Sequence, residues 1–345
     1  MPSKRAQHEF GRRHERVKAN LRKLARSLEP GRPLPSRSKL LQEMRIARAT
    51  LTRAVQTLQT EGILEVRPGR RVYTTARARL LTVAFAQYWE PYNLDSFDLA
   101  LMGALTRHGP DYGLFVEPQM LGQNERPYPD RLAAFHRAVA AGRYAGIISM
   151  TWHLISGWRT DLEKLGLPLV FNPVVIDFLS LENLGVGLLC GHGRGRIGVL
   201  DHINAPDSVG SRRFRAALGR HGLAYRPEWY VSLPPETPLE LCGYRHFLAH
   251  WNKWAIKPDG MLSDNDHITQ GMLYAARDLG IDIPGDLQIA THANKGLSQF
   301  LYPAILRLEV DVDQMARLML EKMRDKIHGR GDEASAILPL IPASI

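Results

Sequence analysis

One stretch of the sequence places basic and hydroxyl side chains at helical spacing. The stretch is RIARATLTRAVQTLQTEGIL, residues 45–64, whose apolar residues recur every three or four positions and form one stripe. At about 100° per residue, Arg45, Thr52 and Arg53 lie roughly opposite that stripe. Guanidinium groups can donate hydrogen bonds to phosphates and guanine edges, and small hydroxyl side chains allow a close approach. The same pattern is also found on solvated helical faces, so this stretch alone leaves both interpretations open.

The positive charge of the chain is concentrated in its first segment. The 345 residues carry a formal net charge of +10. Residues 1–79 contain 20 Lys and Arg against 6 Asp and Glu, whereas the remainder is net negative. This asymmetry predicts an anionic partner for the first segment alone. Nucleic acid is the first expectation for that partner, and an acidic membrane surface is the second.

The composition excludes several classes of protein. An apolar fraction of 44% and a charged fraction of 23% are ordinary for a soluble globular protein of two or three domains. The sequence has no run of about 18 apolar residues, and its basic N-terminus lacks the apolar region of a secretory signal. We therefore expect a cytoplasmic protein that does not bind membranes. Cys190 and Cys242 are expected to be reduced thiols.

The basic segment has the pattern of three helices and a hairpin. Val17, Leu21 and Leu24 begin one helical stripe, while residues 1–15 form either a frayed tail or the start of that helix. Ser36 stands at the N-cap position of a second helix, and Gly62 follows the third as a C-cap would. ILEVRPGRRVYTT, residues 63–75, then reads as two strands around a turn. The sequence therefore predicts a winged helix-turn-helix domain over residues 1–76.

This segment resembles the DNA-binding domain of the GntR family of bacterial regulators. The resemblance runs from PGRPLPSRSKLL through TEGILEVRPGRRVYT. The matching residues are Leu34, Pro35, Ser36, Leu40, Arg48, Thr50, Ala54, Leu58, Glu61, Gly62, Leu64, Gly69 and Arg70. Ser38 and Thr52 stand where the family has arginines, and Arg71 replaces a wing glycine, so the family's operator sequence cannot be carried over.

The resemblance implies that the third helix enters the major groove of DNA. The wing would then contact phosphates or enter the minor groove. The side chains that we expect at the DNA are Ser36, Arg37, Arg45, Arg48, Thr50, Thr52, Arg53, Arg67, Arg70 and Arg71. The arginines come early in the recognition helix because that end is presented to the duplex.

The remainder of the chain alternates short apolar runs with helical stretches. The apolar runs are LLTVAFA, YAGIISM, LPLVFN, RIGVL, PDGMLS and DLQIATH. The helical stretches between them include residues 130–141, 179–190, 209–221 and 268–279. This alternation predicts an α/β fold with doubly wound parallel sheets, and the number of runs predicts two lobes. We expect a linker at residues 77–81 and a two-lobed ligand-sensing and dimerisation domain at residues 82–345.

This second part resembles the effector domain of the lac-repressor family, which shares its fold with periplasmic sugar-binding proteins. The resemblance is strongest in PDGMLSDNDHITQGMLYAARDLGIDIPGDLQIA, residues 258–290. It extends to LGVGLLCGHGRGRIGVL, to RRFRAALGRHGL and to the tail AILPLIPASI. Asp266 takes the position of the family's ligand-binding aspartate, and Gly210 stands where the family has a ligand-binding arginine.

The candidate ligand contacts each have a second interpretation. Asp266 is expected to accept ligand hydroxyls, or else to cap the following helix. Arg212 and Arg213 could replace the missing arginine, or be surface charges. Tyr88 and Trp89 follow the first strand, where ligands bind in doubly wound sheets, and are expected either to stack on a sugar or to pack between the lobes. Asn172, which ends another apolar run, is a weaker candidate.

Two other motifs are set aside. GRGRIG, residues 193–198, satisfies the spacing of a dinucleotide-binding loop, but it follows a predicted helix and opens a strand, the reverse of what that loop requires. HFLAH, residues 246–250, places two imidazoles on one helical face without a third ligand nearby in sequence. We therefore expect neither a metal ion nor a cofactor.

Taken together, these patterns predict a ligand-responsive, sequence-specific DNA-binding transcriptional regulator, organised as in arabinose-type repressors. We expect a homodimer on a two-fold operator, with repression relieved when a sugar or similar small polar effector closes the two lobes of each sensor. The alternatives are a sugar-binding protein without a regulatory role and a sugar-active enzyme. The sequence shows no convergent set of catalytic groups, so we do not expect an enzyme.

Overall fold

The computed structural model divides the chain into two compact units. The first unit comprises Met1–Pro173 and Ala316–Ala334, and the second comprises Val174–Met315 and Ser335–Ile345. The structure describes residues 4–69, 71–88, 96–123, 126–150, 164, 166–202, 208–234, 238–296, 305–331 and 334–343.

The first unit begins with a winged helix-turn-helix domain, as predicted. Its elements are α1 (Lys4–Ser27), α2 (Arg37–Met44), α3 (Arg48–Thr60), β1 (Leu64–Arg67) and β2 (Arg71–Thr74). β1 and β2 pair antiparallel and form the wing. Leu21, Leu40 and Leu58, one from each helix, are fully buried in the core of the domain. Of the two alternatives for the N-terminus, the structure has the helix, which begins at Lys4.

The predicted linker is a folded segment. Residues Ala76–Arg79 form a short 3₁₀ helix, and the next strand begins at Leu81. Ala78 is 3% exposed and belongs to the hydrophobic core of the winged-helix domain. The short linker expected at residues 77–81 therefore overlaps a segment with a turned backbone and a buried apolar residue.

The rest of the first unit is an α/β lobe, which we call the first lobe. It contains β3 (Leu81–Tyr88), α4 (Ser96–His108), β4 (Leu114–Gln123), β5 (Arg126–Pro127), α5 (Pro129–Ala140), β6 (Gly146–Ser149) and β7 (Leu169–Phe171). The sheet order is β5-β4-β3-β6-β7, and all pairs are parallel except β4 with β5. Phe135 of α5 packs with Ala84 and Ile147 of the sheet in one buried cluster.

The second unit is a second α/β lobe with a larger sheet. Its elements are β8 (Val174–Ile176), α6 (Leu181–Gly191), β9 (Ile197–Asp201), α7 (Val209–Arg220), β10 (Tyr230–Ser232), α8 (Leu239–Lys253), β11 (Gly260–Ser263), α9 (Asp266–Asp278), β12 (Gln288–Asn294), β13 (Leu306–Val310), the start of α10 (Val312–Ile327), β14 (Ala336–Leu338) and β15 (Ile341–Ala343). The main sheet has the order β10-β9-β11-β12-β13-β15. The first five of these strands are mutually parallel, which confirms the predicted doubly wound architecture.

Helices cover this sheet on both faces. Val186 of α6 and Phe214 of α7 pack with Val199 and Leu262 in one core cluster, and a separate cluster joins α8 and α9 to the strands. A Cβ on Gly271 of α9 would lie 2.0 Å from the carbonyl oxygen of Glu240. The glycine of the GMLYAARDLG motif is therefore required by the close approach of α8 and α9.

Candidate nucleic-acid interface and ligand site

The N-terminal end of α3 presents arginines to the solvent. Arg48 is the first residue of the helix and is exposed, as is Arg53 one and a half turns later. Arg45 lies in the turn before the helix, where its backbone is left-handed with φ +50° and its side chain is exposed. Thr52 is half-buried. The structure thus places three predicted arginines at the predicted end of the recognition helix.

Thr50 departs from the predicted contact set. It is 4% exposed and lies four residues before Ala54, so it belongs to the buried side of α3. The hydroxyl is therefore absent from the exposed face. We predicted Thr50 as a contact because it matches the family motif, although the position of Thr50 in the helix already favoured burial in the core.

The other predicted DNA contacts lie on α2 and the wing. The Ser36 hydroxyl caps α2 by accepting a hydrogen bond from the Lys39 backbone amide at 3.3 Å, as the sequence predicted. Arg37, the first residue of α2, is half-buried. In the wing, the Arg67 guanidinium lies over the Tyr73 ring, 4.4 Å from its centroid. Arg71 is exposed. Arg70 lies outside the described residues.

In the second unit, polar residues line up at the carboxyl ends of neighbouring strands. Ser263 of β11 pairs in register with Leu200 of β9 and with Thr291 of β12. The residues one position further, Asp201, Asp264 and His292, therefore form a row across three strands, with Asn294 two residues beyond His292. We call these four residues the carboxyl-edge row. The carboxyl ends of parallel strands are where open α/β sheets bind ligands.

The acidic members of the row are buried and hydrogen-bonded. Asp201 accepts a hydrogen bond from the Tyr230 hydroxyl at 2.5 Å. The His202 amide donates to Asp264 at 3.1 Å, and the His202 Nδ1 lies 2.9 Å from the other Asp264 oxygen. Burial raises the pKa of the Asp264 carboxyl, and its contact with His202 offsets part of this rise. Burial alone would lower the pKa of His202, but the Asp264 carboxylate outweighs it, so that pKa is raised.

The other two members carry buried polar atoms without partners among the described residues. These atoms are the Nε2 of His292 and the Oδ1 of Asn294, in side chains 8% and 4% exposed. Burial lowers the pKa of His292 to about 4, so its imidazole is neutral at neutral pH. Its ring packs edge-on against the ring of Phe178, with 5.1 Å between the two ring centroids. Buried polar atoms without partners are costly, and they suit a site that a ligand completes.

The predicted ligand residues of this unit have distinct environments. Asp266 is 5% exposed at the first turn of α9, but the residue that caps the helix is Asn265, whose Oδ1 accepts from the His267 and Ile268 amides at 2.9 and 3.2 Å. Arg213 makes two hydrogen bonds to Glu182, at 2.8 and 3.0 Å. Arg212 is exposed.

The remaining predicted ligand residues belong to the first unit. Asn172 follows β7 with a left-handed φ of +41°, and its backbone N–H donates a hydrogen bond to the Ser149 carbonyl oxygen at 2.8 Å. Tyr88 ends β3, at a register shift against β4, and its side chain lies outside the described residues. Trp89 lies outside them entirely.

The sequence analysis did not identify any of the four residues of the carboxyl-edge row. Asp201 and Asp264 each directly follow an apolar run that predicts a strand, so the sequence did contain a signal. We followed the family motif to Asp266 instead. His292 and Asn294 lie within a seven-residue buried strand, where polar residues are unusual enough to attract attention.

The two motifs set aside have the local structure that the sequence predicted. Residues 193–198 follow α6 and lead into β9, as predicted. The rings of His246 and His250 stack at 6.1 Å on α8. No group of three or more His, Cys, Asp or Glu with metal-binding geometry occurs among the described residues. Nor is any described helix both long and apolar enough to cross a membrane.

Two family models match the chain. Residues 13–73 match the gntR family of bacterial regulatory proteins, and residues 186–345 match a periplasmic binding protein-like domain. The chain therefore combines a GntR-type helix-turn-helix domain with a periplasmic-binding-protein-like domain. The resemblance seen in the sequence is thereby confirmed for both domains.

Known regulators are similar to parts of this chain. An uncharacterized HTH-type transcriptional regulator, YkvZ of Bacillus subtilis (strain 168), is 22% identical over 126 residues. That match covers 36% of this chain and 37% of YkvZ. A solved transcriptional regulator CelR–cellobiose complex has a TM-score of 0.60 at 16% identity, covering 87% of this chain and 90% of that one. A lac repressor dimer bound to operator and the anti-inducer ONPF has a TM-score of 0.60 at 17% identity, covering 77% and 93%.

Proposed function

We propose that the protein binds a two-fold operator as a homodimer and that a small effector, bound in its sensor domain, changes its affinity for DNA. The observation that carries the proposal is the exposed Arg45, Arg48 and Arg53 at the leading end of α3, in a domain that matches the gntR family. Arginines at that end of a recognition helix reach guanine edges and phosphates in the major groove. The protein would act in the cytoplasm, as a regulator without catalytic activity.

We propose an uncharged, hydroxyl-rich effector of the sugar class. The two aspartates and Asn294 of the carboxyl-edge row, together with Asp266, supply acceptor oxygens, and the Arg213 guanidinium is paired with Glu182. Such a site accepts hydrogen bonds from hydroxyl groups and repels a phosphate or carboxylate. The CelR structure named above contains cellobiose, which supports a sugar as the ligand class.

The regulation follows from linkage between the two binding events. If the effector binds one conformation of the sensor more tightly than another, it shifts the population toward that conformation. If DNA favours the other conformation, the two ligands weaken each other reciprocally. We propose that the effector releases the operator in this way, so that the protein acts as a repressor.

The DNA-binding part is tested by selecting duplexes from a random pool with the full chain. We expect enrichment of an inverted repeat, since a two-fold dimer reads two half-sites. Failure to enrich any sequence would contradict the proposed function.

The effector part is tested by thermal shift of the full chain against neutral sugars, including cellobiose, with the corresponding sugar phosphates and sugar acids in parallel. A ligand that binds only the native state raises the melting temperature. We expect stabilisation by a neutral sugar and none by its phosphate. Stabilisation by anionic sugars alone would contradict the proposed effector class.

A further inference from the structure

A row of alternating charges joins the winged-helix domain to the first lobe. The Arg22 Nη2 of α1 lies 2.5 Å from the Oε2 of Glu61, which ends α3. The Arg143 Nη1, from the turn between α5 and β6, lies 3.7 Å from the Oε1 of the same carboxylate. The Nη2 of Arg143 donates to both oxygens of Glu117 on β4 at 2.9 Å. Arg143 is therefore shared between a carboxylate of the winged-helix domain and one of the first lobe.

The row is shielded from water at its centre. The side chains of Arg22 and Glu61 are 12% and 9% exposed, and those of Arg143 and Glu117 are 30% and 20% exposed. Charges in such surroundings are weakly screened, and the loss of one partner leaves another charge unpaired and partly buried. The row therefore favours one docked arrangement over alternatives that would separate these charges.

A second contact reaches the same end of α3. The Arg77 guanidinium, in the 3₁₀ segment, lies 3.3 Å from the centroid of the Phe115 ring on β4. A Cβ on Gly62, the residue after Glu61, would lie 3.3 Å from the Arg77 Nη1, so Arg77 packs closely on the exit of α3. Phe115 and Glu117 are two residues apart on one strand and point to the same side of the sheet. One face of β4 thus carries both residues that hold the winged-helix domain, Phe115 through Arg77 and Glu117 through Arg143.

We propose that Glu61, Arg143 and Arg77 are positioning residues for DNA recognition, which fix α3 on the first lobe. The inference rests on the proposed DNA-binding function. The intervening segment is short and turned, and its Ala78 is buried in the winged-helix core, so it supplies little slack. The sensor then sets the direction of the recognition helix, and in a dimer it sets the spacing between the two half-sites that can be bound together.

The docking is tested without DNA by limited trypsin digestion of the full chain. Cleavage after Arg77 or Arg79 requires the segment to leave its docked position. We expect Arg143→Ala to accelerate cleavage at these two bonds by at least about tenfold, the factor that corresponds to a loss of about 1.4 kcal/mol of docking free energy. Arg330→Ala is the matched control, since that arginine is exposed and pairs only weakly with Asp325 in the same unit. Arg143→Lys, which keeps one charge, should restore part of the protection.

Cleavage that stays unchanged in Arg143→Ala, or is already rapid in the wild type, overturns the proposal. If Arg143→Ala is cut throughout the chain because it has unfolded, Glu61→Gln provides the decisive variant, since it keeps the side-chain volume and removes the charge. Cleavage confined to residues 74–81 in Glu61→Gln supports the docking, and no local increase overturns it.

The positioning role is tested with DNA that carries the selected half-sites at varied separations. We expect the wild type to prefer one separation about tenfold or more. Arg143→Ala should bind an isolated half-site within about twofold of wild type but lose the preference between separations. A loss of half-site affinity with an unchanged preference would mean that Arg143 merely stabilises the domain. If the wild type binds no DNA at all, the proposed function fails while the digestion still decides the docking.

Discussion

At the scale of single residues, the pKa values of two histidines of the second unit, the buried His292 and the half-buried His202, are shifted in opposite directions. His292 is surrounded by apolar groups and by the positive charge of His202, and both effects lower its pKa. His202 contacts the Asp264 carboxylate, which raises its pKa. The same lobe therefore carries one imidazole held neutral and another that favours the proton.

The pH dependence of stability follows from the shift of His292. Its pKa is about 4 in the folded protein and near 6.5 when unfolded, so the unfolded chain binds the proton first as the pH falls. The stability that the neutral imidazole supplies is complete above pH 6.5 and is lost between about pH 6.5 and 4, by up to about 3 kcal/mol. We expect the unfolding free energy of His292→Asn to depend less on pH in this range than that of the wild type. Denaturant unfolding of both proteins at pH 7, 6, 5 and 4.5 measures the difference.

The control variant is His202→Asn, which should change how the unfolding free energy depends on pH above about pH 6.5. A raised folded pKa supplies stability below pH 6.5 that disappears as the pH rises through that pKa. If His292→Asn keeps the wild-type slope between pH 6.5 and 4, the imidazole is not held neutral by burial.

Asn265 caps α9, which leaves the proposed ligand contact as the role to be tested for Asp266. Asn265 caps α9, so Asn265→Ala should cost about 1 kcal/mol of unfolding free energy and leave effector affinity unchanged. Asp266→Ala should lower effector affinity by roughly ten- to a hundredfold, since a hydrogen bond to a charged group contributes about 1.5–3 kcal/mol. Calorimetric titration with the sugar that the thermal-shift screen identifies, beside melting curves of both variants, separates the roles. Unchanged effector affinity in Asp266→Ala would remove it from the ligand site.

At the scale of elements, α3 and the wing are expected to read DNA differently. Arg48 begins α3, where side chains reach base edges, while Arg71 begins the second wing strand. Exposure at a helix end gives an arginine access to guanine, whereas a hairpin flank lies along the sugar–phosphate backbone.

The expected consequence is a difference in specificity. Arg48→Ala should weaken binding to the selected operator by about 1–3 kcal/mol and relax base preference at one position. Arg71→Ala should weaken selected and random duplexes alike. Competition titrations with both duplexes measure the two losses. An equal loss on both duplexes for Arg48→Ala would assign that arginine to the backbone.

At the scale of the whole molecule, the charge asymmetry predicts how binding depends on salt. The first 79 residues carry the basic excess and the rest of the chain is net negative. Each phosphate contact releases counterions, so the logarithm of the affinity of the full chain for duplex DNA should fall linearly with the logarithm of salt concentration. Arg71→Ala should reduce the slope by about one and Arg330→Ala should leave it unchanged. A wild-type affinity independent of salt would contradict electrostatic binding.

The sequence by itself determined the elements whose signals are local. The sequence analysis found the apolar stripes of α1 and α3, the Ser36 cap and the apolar runs of β3, β9, β11 and β12. These patterns could be recognised because helix periodicity and strand burial depend on residues that are close in sequence. Very short strands such as Tyr230–Ser232 and Val174–Ile176 were missed. A strand of three residues is too short to show a periodic hydrophobic pattern, and its conformation depends on the strands that pair with it.

Only the tertiary structure decided which distant residues meet. Asp201, Asp264 and His292 form a row because of the sheet order β9-β11-β12 and the register of its parallel pairs. Glu61 and Arg143 approach each other across 82 positions of sequence because the 3₁₀ segment folds back on the winged-helix core. Such contacts arise from packing between elements, and the free energy of packing depends on surfaces that come together only after the chain has folded.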